Sequence, residues 1–217
     1  MESLYVLAES QTLMALQRLD EAVKDMKQAI SLTHPTAALQ PLFWLTLAKV
    51  YTVKKDFRKM HQTIREGLLL FPDYTDFVYW EGMVYMDERN WDRAEECFQK
   101  ALRMGVPKTY LQSELGVATF KPLWQLARVS RMRNQVKLAE AYYLKTIQAK
   151  PAFYPAWAEY LGLMSNFSVA AVAEHLMLVM TKNELIQQLK MMVARSVAED
   201  TLLEFLELTG SSMNVQK

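Results

Sequence analysis

The sequence predicts an all-α fold, a single solenoid of stacked antiparallel helix pairs, on three observations. Segments of the chain repeat with a period of 34 residues. Apolar and small residues recur inside each unit at helical spacing. Six glycines and seven prolines in 217 residues are too few for the turns of an all-β protein but enough to punctuate helices. Apolar residues make up 51% and charged residues 23%, an ordinary globular balance, and the length suffices for five or six helical hairpins. Fourteen methionines add polarizable packing volume, useful in a core or on an adaptable binding surface.

The repeat is read directly. The segment from Trp44 to Pro72, shifted by 34 residues, lies over Val78 to Val106; shifted again by 45, it lies over Leu123 to Pro151. The second shift is one period plus an insertion of eleven residues. Small residues recur in the first helix (Ala48, Gly82, Ala127). Twelve residues on, Met60, Ala94 and Ala139 align, and two helical turns further Gly67, Ala101 and Thr146. Small side chains at these crossings allow two helices to approach closely. Bulky columns fill the space between: Trp44, Val78, Leu123; Tyr51, Tyr85, Ser130; Phe57, Trp91, Val136; Ile64, Phe98, Tyr143. Each unit closes on a proline: Pro72, Pro107 and Pro151.

Flanking units follow more loosely. Leu19, Ala22, Met26 and Ala29 repeat the second-helix pattern, with residues 3–17 as the partner helix. Trp157, Leu161, Ala173 and Met177 fit the same columns after Pro155. The expectation is one domain over 1–217, with repeats near 3–34, 41–72, 75–107, 120–151 and 154–180. Leu185–Val193 and Ala198–Leu208 read as capping helices within 183–208, which cover the last apolar face, and 209–217 as a tail.

Small and bulky columns at this period resemble the tetratricopeptide repeat, most closely in Asn90–Ala101. The resemblance implies a right-handed superhelical solenoid of about four to five repeats plus the C-terminal caps. A longer stretch is similar to the tetratricopeptide region behind the catalytic domain of bacterial family 2 glycosyltransferases. Its marks are Phe71-Pro-Asp-Tyr-Thr-Asp76, the loop from Glu114 through Gly116-Val-Ala-Thr119 to Lys121, and Lys150-Pro-Ala-Phe153. That family carries a second glycine in the loop, where this chain has Ala118-Thr119. The resemblance, over roughly residues 35–160, implies association with a glycosyltransferase domain. No nucleotide-sugar-binding α/β segment lies within these residues, so it implies no catalytic residue here.

Several function classes are disfavoured. A net charge of +1 creates no global field for nucleic acid or anionic membrane. The single Cys97 excludes an internal disulfide and suits a reducing compartment. The start lacks the basic and apolar regions of a signal peptide, and no window approaches eighteen uninterrupted apolar residues, so the expected location is cytoplasmic with no membrane span. His34, His61 and His175 are far apart, without Cys or His at metal-ligand spacing. No base can be named to activate Cys97, and no phosphate-cradling loop or nucleophile elbow is present. Asp87, Glu88, Asp92, Glu95 and Glu96 read as solvated helix ends and faces. Catalytic, metal and cofactor residues are therefore all expected to be none.

In a tetratricopeptide solenoid the first helices line the concave face. Their stripe here contains Leu42, Leu45 and Lys49; Asp76, Tyr79, Met83 and Met86; and Lys121, Trp124, Arg128 and Arg131. Lys49, Tyr79, Met83, Lys121, Trp124, Arg128 and Arg131 are the predicted partner-binding residues, of types enriched in interfaces. From Leu115 to Ala139 stand five basic residues and no acidic one. That segment suits an acidic peptide, a carboxylate or a phosphate-bearing ligand, or else answers acidic helices of the chain itself at 87–96 or 199–207. The stripe offers no asparagine in register for the carboxylate clamp of chaperone-binding relatives. Three functions remain open: a non-catalytic scaffold for a protein or peptide, a subunit guiding the acceptor in sugar transfer, and a peptide-sensing regulator.

Overall fold

The computed structural model describes residues 2–108 and 113–193. Those residues form eleven α-helices and no strand. In chain order they are α1 (Glu2–Ala15), α2 (Leu19–Leu32), α3 (Gln40–Val53), α4 (Phe57–Leu70), α5 (Thr75–Asp87), α6 (Trp91–Met104), α7 (Phe120–Met132), α8 (Val136–Ala149), α9 (Tyr154–Leu163), α10 (Val169–Met177) and α11 (Lys182–Val193). The first expected cap coincides with α11; the helix expected from Ala198 and the tail lie outside the described residues.

Four helix pairs are joined by one turn. Gln17, Lys55, Arg89 and Asn134 each sit at φ between 57° and 60°. At each, the next residue's N–H donates across the turn: Arg18 to Leu13, Asp56 to Tyr51, Asn90 to Tyr85 and Gln135 to Ser130, at 2.8–3.0 Å. This is the Schellman helix stop, in which one left-handed residue lets otherwise orphaned carbonyls be satisfied. The following helix is capped at once in two of the four: Asp56 accepts from the Lys59 N–H and Asn90 from the Arg93 N–H. Sequence reading did not identify these left-handed positions, because three of the four are not glycine or asparagine.

The chain divides into two compact units, 1–122 and 123–217. In the first, consecutive helices pack from α1 through α6, with α3 also touching α1 and α5. Its main core gathers Met26, Phe43, Ala48, Met60, Ile64, Tyr74 and Phe77. In the second, Ala127, Ala139, Tyr143, Trp157, Leu176 and Leu189 belong to one core, and the Trp157 indole donates to the Pro151 carbonyl at 2.8 Å.

All nine small-column residues are buried, and two glycines show why. A methyl on Gly67 would stand 2.7 Å from the Phe77 ring, and one on Gly82 2.8 Å from the Phe98 ring. The bulky columns hold less uniformly. Ile64, Phe98 and Tyr143 are buried, whereas Val136, the first residue of α8, is 42% exposed beside the similarly exposed Leu138. A residue opening a helix has no preceding turn to cover it.

Candidate partner-binding site

In unit 1 the first-helix face is built from α3, α5 and the segment entering α7. The segment 113–119 is held from both sides. Asp76, fully buried in the first turn of α5, accepts the Ser113 hydroxyl at 2.6 Å and the Glu114 N–H at 2.7 Å. Burial pushes the Asp76 carboxyl above its ordinary value, and those two bonds oppose it. In return, the Glu114 carboxylate accepts from Lys49 at 3.4 Å, from the Trp80 indole N–H at 3.1 Å and from Lys121. Burial alone would raise the Glu114 pKa; the Lys121 bond and the charges of Lys49 and Lys121 outweigh it and set the carboxyl below its ordinary value. Lys49 lies 4.2 Å over the Trp80 ring, with its own pKa lowered by burial against the pull of Glu114.

Gly116 turns this segment at φ +88°, where a Cβ would fall 2.3 Å from the Phe120 ring. The Gly116 carbonyl accepts from the Lys121 N–H at 3.0 Å. Beside Glu114 opens a cavity of about 210 Å³, lined by Leu42, Leu45, Lys49, Tyr74, Asp76 and Ser113.

The stripe read from spacing needs correction here. Tyr79 is buried, its ring 5.7 Å from Phe98 on α6, and Leu45 and Asp76 are buried as well. Five successive residues at the start of α5, Thr75 to Tyr79, have no solvent face, so helical spacing could not divide groove from core. Met83, one turn beyond Tyr79, is half-buried. Lys49 and Lys121 do meet, on the carboxylate of Glu114, a residue the motif contained but the stripe did not.

In unit 2 the predicted residues gather around Glu159 on α9. Its carboxylate accepts the Trp124 indole N–H at 3.1 Å and the Tyr143 hydroxyl at 2.8 Å, and lies 3.7 Å from the Arg128 Nε. Burial, and next the bond to Glu159, push the Tyr143 hydroxyl pKa up. Arg128 stacks 5.1 Å from the Trp124 ring, whose edge meets Phe153 at 5.1 Å. Arg131 is exposed and, with Arg128, Met132 and Glu159, lines a cavity of about 100 Å³. Of the basic segment, Lys121 pairs with Glu114 and Arg128 with Glu159; the acidic stretch at 199–207 lies outside the described residues.

Among the described residues no group of three or more His, Cys, Asp or Glu is placed to hold a metal ion. No described helix is long and apolar enough to cross a membrane. Burial, with Glu81 adding to it, raises the Cys97 thiol pKa to about 12, so the sulfur stays protonated and is a poor nucleophile.

Two segments match family models described as tetratricopeptide repeat, residues 2–33 and residues 76–104. With the helix-pair architecture they define the fold as a tetratricopeptide-type helical repeat, the class of protein built to bind proteins or peptides. Among similar solved structures is PilW, a widely conserved type IV pilus biogenesis factor. It is 20% identical with a TM-score of 0.60, and 96% of this chain covers 92% of that one. Pseudomonas aeruginosa pilF is 13% identical with a TM-score of 0.62, over 97% of this chain and 93% of that one. YrrB, a tetratricopeptide protein with an unusual peptide-binding site, is 16% identical with a TM-score of 0.51, over 85% and 90%. Identities this low speak for the fold alone.

Proposed function

We propose that the chain is a non-catalytic scaffold that holds a partner polypeptide on its first-helix faces, in the cytoplasm, and that the partner is a glycosyltransferase domain. The observation that carries the scaffold reading is the pair of open cavities on those faces, each lined by both apolar and charged side chains. A protein partner needs such a mixture; a reaction would need a nucleophile or acid–base pair, and none can be assigned among the described residues. The contact residues are Lys49, Met83 and Lys121 in unit 1 and Trp124, Arg128 and Arg131 in unit 2, with Tyr79 supporting them from the core. The partner class rests on the resemblance through Phe71–Asp76, Glu114–Lys121 and Lys150–Phe153. Its loop residues Glu114 and Lys121 pair with each other, which is a reason for that motif to contain both.

Surface plasmon resonance between the chain and the catalytic domain of a family 2 glycosyltransferase from the same genome tests this. Saturable binding that weakens about ten-fold or more in Arg131→Glu is expected. Absence of binding, with the chain folded by circular dichroism, rejects the glycosyltransferase partner. A nucleotide-sugar turnover assay with and without the chain separates holding from acceptor guidance, since guidance alone raises turnover. A second reading, a role in pilus biogenesis like that of PilW, has only the likeness of fold behind it, and co-purification with pilus components instead of a glycosyltransferase would select it.

A further inference from the structure

We propose that Lys49, Trp80 and Lys121 form a carboxylate-binding site for an acidic segment of the partner, and that Glu114 is its built-in occupant. The proposal deepens the scaffold reading and rests on it. Three donors from α3, α5 and α7 converge on one carboxylate, a convergence typical of recognition. The Glu114 side chain keeps 34% of its exposure, so the site is reachable from solvent. The occupant arrives as a peptide ligand would. A buried side chain, Asp76, grips its backbone N–H, its acidic group enters the cationic cluster, and the cavity with Leu42 and Leu45 lies alongside. Glu114 describes the charge of the external ligand, a single carboxylate, and the Leu42 and Leu45 walls of the cavity describe an aliphatic side chain beside it.

Charge decides how the two would trade places. With Glu114 seated, its carboxylate pairs with both Lys49 and Lys121. Withdrawal of Glu114 alone would leave partly buried cations unmatched, an expensive state. An incoming carboxylate restores the balance, so the site exchanges one acid for another rather than opening empty. A comparable Trp, cation and Glu grouping occurs in unit 2 at Glu159. There the acid sits in the middle of α9, its backbone fixed by the helix; Glu114 lies outside any helix.

The probe is a five-residue peptide, Gly-Leu-Glu-Leu-Gly with blocked ends, with Gly-Leu-Gln-Leu-Gly as control. Proton–nitrogen NMR follows the Trp80 indole, assigned through Trp80→Phe, and the Glu114 amide. Saturable shifts of both with the Glu peptide and none with the Gln peptide are expected, together with about ten-fold tighter binding in Glu114→Gln and loss of binding in Lys49→Met. The proposal is overturned by absent shifts at millimolar peptide, by equal responses to both peptides, or by a folded Glu114→Gln that binds no tighter. Should Glu114→Gln fail to fold, the titration of the unaltered chain decides alone. A protein partner that binds while the Trp80 and Glu114 signals stay fixed refutes this site and leaves the scaffold standing.

Discussion

Gly116 carries two constraints that no other residue type meets together: a left-handed φ of +88° and a phenylalanine ring where a Cβ would be. Gly116→Ala is expected to cost about 2 kcal/mol or more, part from the left-handed backbone and part from displacing Phe120, measurable by urea unfolding. His61 offers a pH test. It lies 3.5 Å from Glu81 and 3.3 Å from Glu88, with Tyr85 stacked at 4.6 Å. The contact with Glu81 raises its pKa above the ordinary 6.5, burial opposes this, and Glu88 adds to the rise. A folded value above the unfolded one means protonation favours the folded state. The stabilisation is complete below the unfolded value and is lost as pH rises through the folded one. His61→Gln should therefore lower the melting temperature more near pH 5.5 than near pH 9. An equal effect at both values would refute the charge assignment. Residue chemistry of this kind was only partly legible in the sequence. The loop motif contained Glu114 and Lys121, but Lys49 lies 65 positions from Glu114, and no local pattern joins them.

Among the elements, α5 and α6 show what a period can and cannot reveal. The columns of Gly82, Ala94 and Ala101 were readable because helix crossings favour small side chains at the same register from unit to unit, with Met60 the exception. Ala94 is fully buried, and Ala94→Leu should overpack the pair at a cost of about 1–3 kcal/mol. A neutral result would mean that α5 and α6 can separate freely. The assignment of Tyr79 to the groove failed on the same helix, since burial of five consecutive residues erases the amphipathic signal on which such assignments depend. The turn between these helices places Arg89 at φ 57°, a conformation glycine adopts without penalty. Arg89→Gly is expected to stabilise the chain by roughly 0.5–1 kcal/mol, because relief of strain outweighs the added freedom of the unfolded chain. A lowered melting temperature would instead assign Arg89 a tertiary contact worth more than the strain.

For the molecule as a whole, stacked repeats transmit stability mainly to their neighbours. Ala94→Leu should therefore speed amide exchange in α5 and α6 while leaving protection in α9 and α10 close to that of the unaltered chain. Uniform loss of protection would show a single cooperative block instead. The all-helical repeat class was legible at this scale from the 34-residue period alone. The division into compact units at residue 122 was not, since it falls within α7, where helical periodicity continues without a break. The shared turns have a consequence for how such a chain can change in length. Lys55 and Arg89 stand 34 residues apart in the same backbone conformation with the same hydrogen bonds. A cassette cut at those two points carries matching ends. It can be duplicated or excised by recombination with the join falling in a conformation the chain already uses, so gain or loss of a helix pair needs no new turn to be invented.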